Sequence, residues 1–196
     1  MEPGKKIVLY PHPALRHPGK PVLTIDKDLR LQIGQMMDCM YEAKGLGLAA
    51  PQVALPFQLL VMNVTGDANQ KDREEIYVNP VIVERKGTID DEEGCLSFPG
   101  LFQKVRRAKT ATVQYYDLSG NLCEMTCHEL PARLWQHEID HLHGRLFIDV
   151  MGPMGRLASK STLKGFEAEY RTAQKRGEIP PETDIEKLLL ALEGKA

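Results

Sequence analysis

The sequence has few cysteines and no long apolar run, and each shortage excludes a class of protein. Four cysteines in 196 residues are too few for a disulfide scaffold, in which bridges stand in for a hydrophobic core. No apolar stretch approaches the roughly 20 residues of a membrane-spanning helix. The first residues, MEPGKKIV, lack the apolar core of a signal peptide. The absences therefore argue against a disulfide-rich secreted protein and against a membrane partner.

An excess of charge of one sign is also missing. The chain has 25 basic and 27 acidic residues and a net charge of −2. No strongly basic face is indicated, so we expect no specific nucleic-acid partner. A chain of this length can bury one substantial core, and one domain is the default expectation.

The most informative segment is QHEIDH, residues 136–141, which contains His-Glu-x-x-His. On a helix, residues four apart share a face, so His137 and His141 can hold one metal ion together. Glu138 follows the first histidine and can reach a water molecule at that ion. The competing interpretation is two histidines on an ordinary helix face, without a metal.

The third metal ligand decides which kind of site this is, because a hydrolytic site usually has three protein ligands and one open position. A metzincin would have a third histidine at position 147, but Phe147 stands there. A thermolysin-like protease would use a downstream glutamate, for which Glu167 and Glu169 are candidates by position. Upstream, Cys95 offers a thiolate, a good ligand for a borderline or soft divalent metal.

A second unusual segment is GLGLAAPQ, residues 45–52. It is nearly free of large side chains and follows a helical pattern. We expect Gly45 to end that helix in a left-handed conformation, and the small residues leave room for a ligand against the backbone. An ordinary helix-ending turn is the alternative interpretation of this segment.

Three segments together resemble the signature motifs of the peptide deformylase family. They are GLGLAAPQ at 45–52, EGCLS at 93–97 and QHEIDHL at 136–142, in the family's order and spacing. The segment YPHPALR at 10–16 is similar to the family's amino-terminal arm. The resemblance extends from about residue 6 to about residue 150, and the segment after Met151 carries no recognisable family motif.

The resemblance implies an enzyme that removes the formyl group from the amino-terminal formyl-methionine of new polypeptides and releases formate. It implies a divalent metal held by Cys95, His137 and His141, with Glu138 as the general base. Fe²⁺ is the ion that the resemblance implies, while a Cys-His-His set also suits Zn²⁺, Ni²⁺ or Co²⁺. The side-chain amide of Gln52 and the backbone N–H of Leu96 are the implied donors to the developing oxyanion.

Further residues are expected to contact the substrate. Leu46 and Gly47 can offer backbone hydrogen bonds to an extended peptide, and Gly94 lets the backbone approach a ligand closely. Leu130 and Leu134 precede the first histidine of the motif by seven and three residues and therefore share its helix face. They can form an apolar wall for a methionine side chain, and core packing is the alternative for both.

The sequence predicts an α+β fold in which antiparallel strands pack around the metal-binding helix, with further helices in the amino- and carboxy-terminal parts. We expect a deformylase-like catalytic domain over 1–150 and a carboxy-terminal helical extension of the same domain over 151–196. Helices are predicted at 26–44, from the turn containing Pro131 to about 143, at 156–176 and at 184–193; strands are predicted at 57–64, 75–85, 110–117 and 122–128.

Two alternatives to a deformylase remain at this point: an endopeptidase with a downstream glutamate ligand, and a non-enzymatic domain with a structural metal. Three ligands with a well-placed base favour catalysis, since a structural site is closed by four ligands. The expected partners are N-formyl-methionyl peptides and nascent chains, with association to the ribosome. A ligating Cys95 must stay reduced, which together with the missing transit peptide favours the cytoplasm.

Overall fold

The computed structural model describes residues 5–194, so the predicted ends at residues 1 and 196 lie outside the described part. The elements, in chain order, are α1 (Lys27–Glu42), β1 (Gly47–Ala49), β2 (Leu59–Met62), β3 (Glu75–Lys86), β4 (Ile89–Gly94), β5 (Phe102–Arg107), β6 (Thr110–Tyr116), β7 (Leu122–His128), α2 (Glu129–Leu142), α3 (Phe147–Val150), α4 (Pro153–Lys175) and α5 (Glu182–Glu193). None of these helices is both long and apolar enough to cross a membrane.

Five strands form one antiparallel sheet in the order β1-β2-β3-β6-β7. The strand β3 pairs with β6 from Val78 opposite Tyr116 to Lys86 opposite Thr110, and two irregularities in register bend this pair. The short strand β1 pairs only with β2 and lies at the edge of the sheet. Its outer side is therefore available for pairing with an extended segment.

The helix α2 packs against one face of this sheet. Trp135, Ile139 and Leu142 lie three or four residues apart and are all buried. They form one apolar cluster with residues of four strands, among them Leu60 and Val113. The apolar face fixes the rotation of the helix, and with it the direction in which the two histidines point.

The helix α1 begins at a cap and ends at Glu42, two residues before the predicted end at residue 44. The side chain of Asp26 accepts a hydrogen bond from the N–H of Leu29 at 2.8 Å, which satisfies an otherwise free donor. At the other end, the left-handed residue is Lys44, with φ 56°, and not Gly45 as expected. The small size of Gly45 has another reason: a Cβ there would lie 2.6 Å from Cδ1 of Leu96.

The strands β4 and β5 form a separate two-stranded antiparallel sheet. Sequence patterns did not predict this hairpin, because β4 reads IDDEEG and has no apolar alternation. Two of its acidic residues, Asp90 and Glu92, instead lie opposite Arg106 and Lys104 of β5. Asp90 binds the guanidinium of Arg106 at 2.8 Å. The hairpin matters for function because Cys95 follows β4 directly.

The two carboxy-terminal helices pack against the amino-terminal part of the chain. Leu163 and Phe166 of α4 pack on the cluster that contains Phe98. Ile185 and Leu189 of α5 pack on Ala14. The expected α+β architecture, with antiparallel strands around α2 and helices towards both ends, is confirmed.

Candidate active site

Three side-chain atoms from two distant segments converge beneath a cleft. Sγ of Cys95 lies 3.3 Å from Nε2 of His141, and that nitrogen lies 3.3 Å from Nε2 of His137. All three atoms lie within 4.8 Å of one another, and within residues 5–194 they form the only such cluster of potential metal ligands. The two histidines come from adjacent turns of α2, and the cysteine comes from the segment after β4.

These separations fit one tetrahedral metal ion. Two nitrogens bound at about 2.05 Å with a tetrahedral angle would lie about 3.3 Å apart, and a sulfur bound at about 2.3 Å would lie about 3.6 Å from each of them. Burial, reinforced by the neighbouring His137, holds the pKa of His141 well below its usual range. His141 is therefore neutral at pH 7 and keeps a lone pair for a metal.

The orientation of His137 is fixed by a buried network that the sequence patterns did not reveal. Nδ1 of His137 lies 2.7 Å from Oε1 of Glu93. Arg107 and Arg133 bind the same carboxylate, at 2.7 Å and 3.0 Å, and Arg107 also binds Asp140. Burial opposes ionisation of Glu93, but His137 and Arg107 hold its pKa well below the usual range. Because Glu93 holds Nδ1 of His137, the other ring nitrogen, Nε2, is directed at the space between the candidate metal ligands.

Glu138 lies on the wall of the cleft beside the converging ligands. Burial raises the pKa of its carboxyl group to about 7, and its Oε2 has no hydrogen-bond partner within residues 5–194. The backbone of Gly47 lies against this side chain, since a Cβ at position 47 would be 2.9 Å from Oε1. The second glycine of the 45–52 segment therefore provides the space in which this carboxylate sits.

Gln52 is buried, with 1% of its surface exposed, and its amide group is held in one orientation. Its Oε1 accepts a hydrogen bond from the N–H of Ala49 at 2.8 Å. This leaves Nε2 directed at Sγ of Cys95, 3.5 Å away, and at Oγ of Ser97, 3.4 Å away. The turn at 49–52 thus positions a side-chain N–H donor beside the candidate metal ligands.

A second donor comes from the segment after β4. The N–H of Phe98 bonds the carbonyl oxygen of Cys95 at 2.9 Å, which forms a turn. The N–H of Leu96 lies within this turn and has no acceptor in the part of the chain that the structure describes. Leu96 and Gln52 line the same cleft.

The cleft has a volume of ≈ 560 Å³ and is open at one side. All five residues that the sequence analysis associated with substrate line it, namely Leu46, Gly47, Gly94, Leu130 and Leu134. The carbonyl of Leu46 already accepts the N–H of Asn63, so only its N–H remains for a substrate. Leu130 is 48% exposed, whereas Leu134 also packs on the core beneath α2. Gly94 accommodates the ring of Phe102, which would lie 2.4 Å from a Cβ.

The other candidates for a third ligand lie elsewhere. Phe147 packs in the core with Phe98, their ring centroids 5.1 Å apart. Glu167, on α4, accepts a hydrogen bond from the hydroxyl of Tyr10, and Glu169 is an exposed residue of the same helix. Neither glutamate belongs to the cluster of potential ligands. The geometry does not support the endopeptidase alternative.

Two histidines on one helix, the adjacent glutamate and a third donor from another segment, all at an open cleft in an α+β fold, define the class of metal-dependent hydrolases. The family model for polypeptide deformylase matches residues 4–157, and the chain belongs to this family. It is a metal-dependent amidase that removes the N-formyl group from the amino-terminal formyl-methionine of newly synthesised polypeptides and releases formate.

Individual relatives agree with this assignment. A peptide deformylase from Rhodopirellula baltica is 40% identical over 181 residues, which are 91% of this chain and 89% of the relative. A solved peptide deformylase from Plasmodium falciparum matches with a TM-score of 0.82 at 37% identity, covering 85% of this chain and 97% of that one. Peptide deformylase 1B of Arabidopsis thaliana also matches with a TM-score of 0.82 at 37% identity, covering 89% and 95%.

Proposed function

We propose that deformylation in this chain depends on six residues with separate roles. Three would hold the metal ion, one would transfer protons, and two would donate hydrogen bonds to the reacting carbonyl oxygen. In that order they are Cys95, His137 and His141; Glu138; and Gln52 and Leu96. The observation that carries the proposal is the convergence of one cysteine sulfur and two imidazole nitrogens within 4.8 Å, beside a buried carboxylate whose Oε2 has no hydrogen-bond partner in the described residues.

One cysteine sulfur and two imidazole nitrogens suit Fe²⁺, Zn²⁺, Co²⁺ or Ni²⁺, and we propose Fe²⁺ as the native ion from the family resemblance. When bound, such an ion lowers the pKa of a coordinated water towards about 7 and polarises the formyl carbonyl. Metal analysis of protein purified without oxygen tests this choice. A full complement of zinc, with no iron and full activity, would contradict it.

Glu138 would act as general base and then as general acid. Its carboxylate takes a proton from the attacking water and delivers it to the amine nitrogen as the formyl C–N bond breaks. A pKa of about 7 suits both directions of transfer at neutral pH, and a nearby dication would lower this pKa and favour the ionised base. The close contact with Gly47 keeps the carboxylate at one place on the wall.

Gln52 and Leu96 would stabilise the charge that develops on the formyl oxygen. The amide of Gln52 is fixed through Ala49 before substrate arrives, so no reorganisation is needed when charge develops. The N–H of Leu96 has no acceptor within residues 5–194 and can donate to a substrate oxygen. Each such donor contributes on the order of 3–4 kcal/mol to transition-state stabilisation.

The substrate would lie along β1 as an added strand, with its methionine side chain in the cleft. The free edge of β1 offers backbone groups of Leu46 and Gly47. Leu130 and Leu134 provide an apolar wall for the thioether side chain. Gly94, whose missing side chain makes room for the ring of Phe102, would present its backbone to the substrate. An exchange of Leu134 for Ala should raise KM for formyl-Met peptides more than for formyl-Ala peptides.

Formate release from formyl-Met-Ala-Ser, measured on metal-loaded protein, tests the assignment directly. The exchange Cys95→Ala should remove both metal and activity. The matched exchange Cys39→Ala, in a buried cysteine of α1 far from the cluster, should leave both in place. Retention of stoichiometric, active metal in Cys95→Ala would overturn the ligand assignment.

We further propose that residues 1–150 are the catalytic part and that 151–196 complete the same domain, since α4 and α5 pack on its amino-terminal arm. A substrate on nascent chains suggests ribosome association, which co-sedimentation with ribosomes would test. The need for a reduced Cys95 favours the cytoplasm, and fractionation of the source cells checks that placement.

A further inference from the structure

The amino-terminal arm with the three residues before it, residues 7–16, contacts both segments that carry the proposed oxyanion donors. The N–H of Val8 bonds the carbonyl oxygen of Gln52 at 2.8 Å. Two residues on, the N–H of Tyr10 bonds the carbonyl oxygen of Ser97 at 3.0 Å. The arm therefore joins the 49–52 turn to the turn after β4, and its position sets how the donors of these two turns lie relative to each other.

The side chain of Tyr10 connects this arm to the helix α4. Its ring stacks on Phe98, with centroids 5.0 Å apart and an interplanar angle of 23°. Its hydroxyl donates a hydrogen bond to Oε1 of Glu167 on α4, at 3.1 Å. Both side chains are half-buried. Tyr10 is thus bound at three points: by its N–H, by its ring and by its hydroxyl.

We propose that Tyr10 and Glu167 are positioning residues for deformylation: together they hold the arm so that the N–H of Leu96 and the amide of Gln52 stay directed at the reacting carbonyl. The inference rests on the donor roles proposed above. It assigns a task to α4, most of which lies beyond the part of the chain matched by the family model. Neither side chain touches the substrate cleft, so the effect must pass through the turns.

The exchange Tyr10→Phe keeps the ring on Phe98 and removes only the hydroxyl. The exchange Glu167→Ala removes the acceptor, and Glu167→Gln retains one in its amide oxygen. A hydrogen bond of this kind corresponds to roughly a 3–10-fold change in an equilibrium or rate. We expect Tyr10→Phe and Glu167→Ala each to lower kcat by about that factor, with KM and metal content unchanged. Glu167→Gln should restore most of kcat.

The matched control is Glu169→Ala, which removes an exposed carboxylate from the same helix and should leave kcat unchanged. The combination Tyr10→Phe with Glu167→Ala should be no slower than either single variant, because both remove the same bond. A urea unfolding curve for each variant separates positioning from folding. A lower midpoint with full kcat per bound metal would show a structural role only and would overturn the proposal.

A double-variant cycle with Gln52→Ala separates this proposal from the donor assignment. If Tyr10 acts through the donors, Tyr10→Phe should lower kcat by a smaller factor in the Gln52→Ala background than in the parent enzyme. If kcat of the double variant falls by the product of the two single factors, Tyr10 acts independently of Gln52. That result would overturn the positioning role. Full activity of Gln52→Ala alone would instead refute the donor role of Gln52. The two failures are therefore distinguishable.

Discussion

The exchange Gln52→Ala should have two separable effects, because the two ends of this amide have different partners. The oxygen accepts the N–H of Ala49, and the nitrogen faces Cys95 and Ser97. Loss of the oxygen leaves a buried N–H without an acceptor, which costs about 1–3 kcal/mol of folding free energy. Loss of the nitrogen removes one oxyanion donor, which lowers kcat by about 10²–10³-fold.

Three measurements resolve these effects: urea unfolding, metal content, and kcat and KM for formate release. We expect a lower unfolding midpoint, an unchanged metal content and a KM that moves far less than kcat, since the donor acts mainly in the transition state. Gln136→Ala is the matched control. Gln136 is equally buried, but its amide bonds both backbone groups of Ala108 at 2.9 Å.

The control variant should lose at least as much stability as Gln52→Ala and keep kcat per bound metal within about threefold, because its amide faces away from the cleft. Equal losses of kcat in the two variants would show that packing of the helix and turn, and not donation to the oxyanion, explains the effect. A large rise in KM at constant kcat would show that Gln52 only binds the ground-state peptide.

Three further exchanges test the rest of the site. Glu138→Gln keeps size and polarity but removes the base, so turnover should fall by ~10²–10⁴-fold at full metal content; near-normal turnover would refute the role. Glu93→Gln weakens the carboxylate behind His137 and should lower metal affinity by about 10–100-fold in a chelator competition; unchanged affinity would show that the network does not tune the ligand. Gly47→Ala should displace the Glu138 carboxylate and lower kcat by about 10–10²-fold with metal retained, and a wild-type rate would mean that the carboxylate adapts.

The sequence predicted those parts of the site that follow from local spacing within one helix. The four-residue spacing of His137 and His141 fixes a shared helix face whatever surrounds it, and the same argument placed Leu130 and Leu134 beside them. Cys95 could be assigned only through the family resemblance, since nothing in a local pattern shows that residue 95 meets residue 137.

The network around Glu93 was missed for the same reason. Its partners Arg107 and Arg133 stand 14 and 40 positions away, and charged residues usually indicate a solvated face. The hairpin of β4 and β5 was missed because β4 has no apolar alternation, so its pairing with β5 leaves no periodic signal in the sequence. Lys44 has the left-handed conformation expected for Gly45, whereas the missing side chain of Gly45 makes room for Leu96.

The proposed ligands come from two segments, so an ion between them would join the β4–β5 hairpin to α2. A two-stranded sheet has little stability of its own, and this one carries Cys95 and Leu96 at its end. Cys95 stands 42 positions before His137, and the ion would close the intervening chain into a ring. If the ion stabilises the hairpin, and the hairpin forms one wall of the cleft, then the bound ion raises the affinity for peptide. By thermodynamic reciprocity, a bound peptide must raise the affinity for the ion by the same factor. In this fold, retention of metal by the working enzyme would depend on the supply of substrate as well as on the supply of metal.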